Sequence, residues 1–287
     1  MNILITNDDG YSAQGIQALV SAVSGFGNVT VIAPKYHQSG MAMAVSMGFK
    51  PIAVKYLGIR EDGSRWFYLD GTPASCVKFA IDNVFTDGRP DLVISGINHG
   101  SNAATAACYS GTLGAAQEAA VNGIPAVGVS LDAMTTSADF SAVTALFPDI
   151  LRKLIALMPG KRGSYYNVNF PNIPQSEIRG VRVGHMGKGH WVEEFESWNP
   201  AFFSKYGIDH THYGLASPDV KGEDGEEIFL MTGHFVDDDN VPGADHHLLK
   251  EGFISVVEHN FDNTDYAAVD ALKAAGMEID FRGNTIS

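Results

Sequence analysis

The sequence predicts an α/β protein with a doubly wound, mainly parallel sheet and a β-rich C-terminal extension. Three observations carry that prediction. Short apolar runs such as Asn2-Ile3-Leu4-Ile5-Thr6 end abruptly in turn residues, as buried parallel strands do. Between them lie stretches with apolar residues at helical spacing, such as Ile16, Leu19, Val20 and Val23. This alternation holds through residues 1–175 and stops beyond, which sets a core apart from an extension.

The elements follow in order. After the strand at residues 2–6, a helix spans Gly15 to Val23, and Gly25 and Gly27 stop it. Val29 to Ala33 reads as a second buried strand, ended by Pro34. Met47 to Leu57 and Trp66 to Leu69 read as extended segments joined through the turn Glu61-Asp62-Gly63-Ser64. Asp70-Gly71-Thr72-Pro73 turns into a helix from Ala74 to about Phe85. Leu92-Val93-Ile94 is a short buried strand, followed by a polar loop from Gly96 to Ser110. A small-residue helix from about Thr112 to Asn122, a strand from Ala126 to Leu131 and a helix from Ala142 to Leu157 complete the Rossmann-like core. Further on, Val181-Arg182-Val183, Ile228-Phe229-Leu230 and Ile254 to Val257 read as strands, and Tyr266 to Ala275 as a last helix. Residues 176–287 thus read as an extension of the same structural unit, serving oligomerisation rather than catalysis.

Composition narrows the function. A chain of 287 residues permits one large or two ordinary domains of roughly 150 residues each. The formal charge of −14 argues against wrapping a nucleic-acid polymer, which needs a basic face. It leaves small phosphorylated substrates open, because a bound divalent cation inverts the local field. Two cysteines, Cys76 and Cys108, imply no disulfide framework. The start lacks a basic segment and a cleavage site, and no apolar run reaches the ~18 residues of a spanning helix. The expectation is a cytoplasmic protein without a membrane partner.

Three loops follow three core strands: Asn7-Asp8-Asp9-Gly10, Pro34 to Gly40, and Ser95-Gly96-Ile97-Asn98-His99-Gly100. In a doubly wound sheet all three emerge at one edge, where ligands bind. Asp8, Asp9, the Ser39 hydroxyl and the Asn98 amide oxygen can converge there. Adjacent carboxylates are costly to bury unless a hard, oxygen-seeking cation sits between them. The competing reading is a plain Asx-rich turn. A fourth piece, Tyr109-Ser110-Gly111-Thr112, opens a helix whose free N–H groups and dipole suit an anion. Ser110 and Thr112 hydroxyls add donors there or cap the helix. A hard-cation site beside a helix N-terminus suits phosphoryl transfer to water.

At these residues the chain resembles the SurE family of metal-dependent nucleotidases and phosphatases. The matching segments are Ile3–Gly10, Pro34 to Gly40, Gly71-Thr72-Pro73, Ser95–Asn102, Tyr109–Thr112 and Asn167–Pro171. The resemblance implies Asp8, Asp9, Ser39 and Asn98 as ligands of one divalent cation per subunit, Mg²⁺ or Mn²⁺, with Ca²⁺ a third candidate. It implies a phosphate loop of Asn102, Ser110, Gly111 and Thr112, with Gly40 beside it. The implied activity is release of phosphate from nucleoside monophosphates, as a 5'-nucleotidase with 3'-nucleotidase or short-chain polyphosphatase activity as extensions, in a homodimer or homotetramer. Asp8, Asp9 and Asn98 would form the catalytic group, with Asp9 a candidate general base. The chain departs from the family pattern at Ala103-Ala104-Thr105-Ala106-Ala107-Cys108, where Gly and an acidic residue are usual, and residues 190–225 are longer and more divergent.

Other motifs read as structural. His99 is read as a rim histidine in preference to an acid–base group. His210, His212, His246 and His247 are read as surface residues for want of a matched third ligand. Asp237-Asp238-Asp239 with Asp245 lacks the Gly and Glu of an EF-hand and reads as a solvated acidic loop. Cys108 borders the phosphate loop without a basic neighbour. Trp191, Phe195, Trp198, Phe202, Phe203 and Tyr206 read as an interface patch ahead of a base-stacking lid. Two other function classes remain: a non-catalytic nucleotide- or metal-binding module, and a nucleotide-sugar transferase, which requires a second doubly wound half.

Overall fold

In the computed structural model, which describes residues 1–48, 51–133, 138–158, 162–206, 210–213, 215, 217–237 and 241–279, the first strand is central. That strand, β1 (Asn2–Thr6), leads through α1 (Gln14–Val23) to β2 (Asn28–Pro34). The hairpin of β3 (Val54–Ile59) and β4 (Arg65–Leu69) precedes α2 (Pro73–Phe79), which runs on into a π-helical turn. Then come β5 (Leu92–His99), α3 (Ala106–Tyr109), α4 (Gly111–Val121), β6 (Ala126–Leu131), α5 (Ser141–Leu157) and β7 (Ser164–Phe170). The extension contributes β8 (Val181–Val183), β9 (His190–Val192), β10 (Phe195–Ser197), α6 (Ala201–Tyr206), β11 (Phe229–Met231) and β12 (His234–Val236). It ends with α7 (Asp245–Lys250), β13 (Ile254–Asn260) and α8 (Tyr266–Ala274).

Among the described residues, nine strands form one sheet in the order β3-β4-β2-β1-β5-β6-β7-β13-β8. From β4 across to β7 every pairing is parallel. β3 against β4 and β13 against β7 are antiparallel. The chain builds outwards from β1 to β2 and β4, then returns to lay β5 on the other side of β1. That reversal opens a crevice beyond the carboxyl ends of β1 and β5.

The alternation of strand side chains explains the double winding. Ile3 and Ile5 are buried on one face with Ile16, Leu19 and Val23 of α1 and Phe147 and Leu151 of α5. Leu4 faces the other way, with Cys76 and Val77 of α2 and Leu113, Ala115 and Ala116 of α4. Each Ile, Leu, Val or Phe among them, fully buried, contributes roughly 1.5–3 kcal/mol. The alanines of α4 let its axis lie close to the sheet, and Lys78 Nζ donates to Glu118 Oε1 at 2.8 Å to tie α2 to α4.

Several elements differ from the sequence reading. β5 runs on to His99, where a loop from Gly96 was expected. One extra residue between Ser95 and Asn98 shifts its register against β6, a bulge that re-aims Asn98. β7 is absent from the sequence reading, because its interior Asn167 and Asn169 break the apolar run. The extended segment begins only at Val54, and residues 49–50 lie outside the described ones. Beyond residue 175, β13 and β8 join the main sheet, while β10–β11 and β9–β12 form two small antiparallel ribbons. Among the described residues there is no second doubly wound half, so the transferase reading loses its premise.

Candidate active site

The turn after β1 resolves the ambiguity of Asn7-Asp8-Asp9-Gly10 by dividing the labour. Asn7 Nδ2 donates to the Gly10 carbonyl at 2.9 Å, and Gly10 N–H donates to Asn7 Oδ1 at 3.1 Å. Gly10 has φ +98°, which a side chain would resist. Asn7 therefore makes the Asx turn, and the two aspartates are left to the crevice, both buried.

Each carboxylate has its own support. Thr112 Oγ1 donates to Asp8 Oδ1 at 2.6 Å. Asp9 lies between two imidazoles, with Nδ1 of His37 3.3 Å from Oδ1 and Nδ1 of His99 3.3 Å from Oδ2. The His99 backbone N–H also donates to Asp9 Oδ2, at 3.2 Å. Asn98 is buried at the end of β5, and its Nδ2 donates to the carbonyls of His99 and Gly100 at 3.1 and 2.8 Å. Two carbonyl acceptors can face only the NH₂ end of an amide, so Oδ1 stays available as an oxygen ligand.

The start of α4 is built around Asp8. A Cβ on Gly111 would lie 2.9 Å from both Cβ and Oδ2 of Asp8, so glycine lets the helix terminus touch the carboxylate. Gly114, one turn on, admits the Ala42 carbonyl, where a Cβ would come within 1.8 Å. Ser110 is the N-cap, its Oγ accepting from the Leu113 N–H at 3.0 Å. The Pro34–Gly40 loop is held to the same place by the Gln38 N–H, which donates to the Asp8 carbonyl at 2.7 Å. Ser39 and Gly40 follow directly and are exposed on the rim.

Asn102 closes the site from the β7 side. Its N–H donates to Asn169 Oδ1 at 2.8 Å, and Asn169 Nδ2 donates to Asn167 Oδ1 at 2.9 Å. Asn167 Nδ2 returns to the Asn102 carbonyl at 2.8 Å. Asn102 Nδ2 donates to Ser130 Oγ at 2.8 Å. This closed, buried set of amides fixes the backbone of the loop between β5 and α4.

Electrostatics separate the two aspartates. Burial, and then the charge on Asp9, push the Asp8 carboxyl up to about 6, against the opposing pull of the Thr112 hydroxyl. Burial would also raise Asp9, but the hydrogen bonds of His37 and His99 outweigh it and hold that carboxyl well below the ordinary range. Adjacent buried carboxylates with an amide oxygen beside them form an all-oxygen donor set. That set fits Mg²⁺, Mn²⁺ or Ca²⁺ and suits thiophilic ions poorly.

The structure thus brings together Asp8, Asp9, Asn98, Gly111 and Thr112, with Ser110, Asn102, Ser39 and Gly40 around them. His37 was not singled out in the sequence, and His99 is no mere rim residue, since both touch Asp9. Their positions in the Pro34–Gly40 and Ser95–Gly100 loops were the available signal. Two other sequence readings are corrected. His246 is buried and Asp237 joins it and His247, so these are not independent surface groups. Asp245, grouped with a solvated loop, is fully buried; Asp238 and Asp239 lie outside the described residues. Among the aromatics, Trp198 and Phe203 pack edge-on at 5.4 Å, and Trp191 meets Phe235 at 6.0 Å. Cys108 is exposed and Cys76 buried.

The family model described as Survival protein SurE matches residues 3–193. The 5'-nucleotidase SurE of Christiangramia forsetii is 37% identical over 264 residues, covering 91% of this chain and 92% of that protein. The 5'-nucleotidase SurE of Syntrophobacter fumaroxidans is 37% identical over 276 residues, covering 95% and 98%. The crystal structure of the SurE protein from Aquifex aeolicus superposes with a TM-score of 0.74 at 28% identity, covering 96% of this chain and all (100%) of that one.

Proposed function

The chain belongs to the SurE family, and from that premise we propose that it is a divalent-metal-dependent phosphomonoester hydrolase acting on nucleoside monophosphates. The observation that carries the reading is the pair of buried carboxylates, Asp8 and Asp9, meeting Asn98 and the N-terminus of α4 at the sheet's switch point. The relatives named 5'-nucleotidase SurE support the same chemistry.

Asp8, Asp9, Asn98 and Ser39 would hold the cation, Mg²⁺ or Mn²⁺. Bound there, such an ion neutralises phosphate charge and lowers the pKa of an attacking water. The chain's own residues do the rest. Gly111 and Thr112 occupy the first turn of α4, where backbone N–H groups lack intrahelical acceptors and point at an anion. Ser110 uses a lone pair on Leu113 N–H and keeps its O–H for a phosphate oxygen. Asn102 keeps its second Nδ2 hydrogen for the same purpose. Thr112 spends its hydroxyl hydrogen on Asp8 and so offers phosphate only its backbone N–H. Held so far below the ordinary range, Asp9 is a poor proton acceptor, which favours ligation over general-base work.

The test is phosphate release from a panel of 5'- and 3'-nucleotides and short polyphosphate, with and without Mg²⁺ or Mn²⁺. EDTA should abolish turnover, either ion should restore it, and Asp8→Asn or Asp9→Asn should lose both cation affinity and activity. Full activity after exhaustive chelation would sink the proposal, and nucleotide binding without turnover would favour the non-catalytic module. We further propose a cytoplasmic homodimer or homotetramer assembled through residues 176–287. Phe195 and Met231 pair across β10 and β11 while both stay exposed, which supports an apolar contact face there. A strictly monomeric mass by light scattering would remove that part. No described helix is long and apolar enough to cross a membrane.

A further inference from the structure

Away from the crevice, the described residues hold one cluster of histidine and carboxylate groups at metal-ligand spacing. Its members are Asp237, directly after β12, and His246 and His247 in α7, whose ligating atoms all lie within 4.8 Å of one another. His246 Nε2 lies 3.0 Å from Asp237 Oδ1, and His247 Nε2 lies 2.8 Å from Asp237 Oδ2. We propose that Asp237, His246 and His247 form a second metal site, of the Zn²⁺ class, that clips β12 to α7.

Three observations support the site. First, the His246 side chain is only 7% exposed, yet neither ring nitrogen makes a hydrogen bond, and Asp237 Oδ1 opposite lacks one too. Buried polar atoms that face each other without bonding are costly, and a shared cation satisfies both. Second, donor atoms around tetrahedral zinc stand ~3.3 Å apart, given bonds of about 2.0–2.1 Å. The contacts of 2.8 and 3.0 Å therefore need to open only slightly. Third, a carboxylate stands behind the buried imidazole, with Asp245 Oδ1 3.6 Å from His246 Nδ1. At that distance it makes no hydrogen bond, but its buried negative charge favours a cation held at the far nitrogen, Nε2.

Among the described residues, Lys250 brings its ammonium to this carboxylate, with Nζ 3.1 Å from Asp237 Oδ2. Its side chain is 61% exposed and free to swing into solvent when an ion arrives. Two imidazoles and a carboxylate select borderline ions such as Zn²⁺, in contrast to the all-oxygen set at Asp8 and Asp9. A fourth position is left for water.

The test needs no enzymatic activity. Metal-stripped protein is titrated with Zn²⁺ by calorimetry in the Asp8→Asn background, which disables the crevice. One equivalent should still bind, and Co²⁺ in its place should give a visible d–d absorption band. Adding His247→Ala, at the more exposed ligand, should weaken Zn²⁺ by at least about tenfold, the loss seen even for groups that merely orient a ligand. Asp237→Ala should do the same, and circular dichroism verifies that each variant is folded. Absence of Zn²⁺ binding in folded Asp8→Asn protein, or unchanged affinity after His247→Ala and Asp237→Ala, would overturn the proposal.

Discussion

Replacing Thr112 with valine asks whether its hydroxyl serves Asp8 or the phosphate. Valine keeps the branched shape and removes the O–H that donates to Asp8 Oδ1 at 2.6 Å in a fully buried position. A hydrogen bond to a charged group contributes roughly 1.5–3 kcal/mol, or about ten- to a hundredfold in an equilibrium constant. The same bond lowers the Asp8 carboxyl, which burial and Asp9 push up to about 6. Its loss moves that carboxyl higher, so a proton competes better with the cation near neutral pH. Mn²⁺ affinity by calorimetry without substrate should therefore fall about ten- to a hundredfold at pH ~7. The fall should steepen as pH drops toward about 6, because protonated Asp8 cannot ligate. Thr112→Ser, which keeps the donor, should recover most of the affinity. Wild-type Mn²⁺ binding in Thr112→Val, with only phosphate inhibition weakened, would refute this reasoning and return Thr112 to the phosphate.

Gly111→Ala should weaken cation binding and phosphate binding together, since the new Cβ would stand 2.9 Å from Cβ and Oδ2 of Asp8. Overpacking of this kind typically costs about 1–3 kcal/mol; calorimetry with Mn²⁺, beside inhibition by phosphate, separates the two effects. An unchanged Mn²⁺ affinity would show that α4 yields at that point. His259 governs acid stability by a different route. Burial against Tyr165 lowers its pKa, with Asp245 pulling the other way, so the folded protein takes up that proton less readily than the unfolded chain. The stabilising contribution is present above the unfolded value of 6.5 and is lost as pH falls below it. His259→Phe keeps the stacked ring and should flatten the decline of Tm between about pH 7 and pH 5; an unchanged slope would assign the decline to other groups.

The parts of the fold that were legible in the sequence are those governed by local pattern. β1, β2, β6 and the stripe of α1 are buried by short-range rules, and their sequences say so. β7 was hidden because its asparagines satisfy one another across space, through Asn102, which no local pattern reveals. The full length of β5 was hidden by the residues around its bulge, which read as a loop. In the site, Asp8, Asp9 and Asn98 were legible because strand ends in a doubly wound sheet converge by topology. The partners of those residues were not. Thr112 reads as a phosphate donor or a cap until its bond to Asp8 is seen, and His37 reads as one loop residue among several. Asp237 and His246 looked solvated because the sequence does not reveal that α7 folds back beside β12.

That last contact changes what the extension is for. Asp245, the first residue of α7, is fully buried, and its Oδ1 accepts from the N–H groups of Ala104, Gly187 and His246, at 3.0, 3.0 and 2.9 Å. Ala104 sits at φ +51° in the loop that also carries Asn102, so Asp245 helps hold a strained backbone next to the proposed phosphate site. Thr105 adds a second tie, its hydroxyl donating to the Gly189 carbonyl at 2.7 Å. The altered stretch Ala103–Cys108 is therefore secured against the extension, through Asp245 and through the hydroxyl of its own Thr105. Residues 176–279 complete the sheet through β13 and β8, and through Asp245 they also fix one wall of the crevice. An extension that merely covered a surface would need no buried carboxylate at this joint. Its presence makes the geometry of the loop before α4 depend on how α7 is seated.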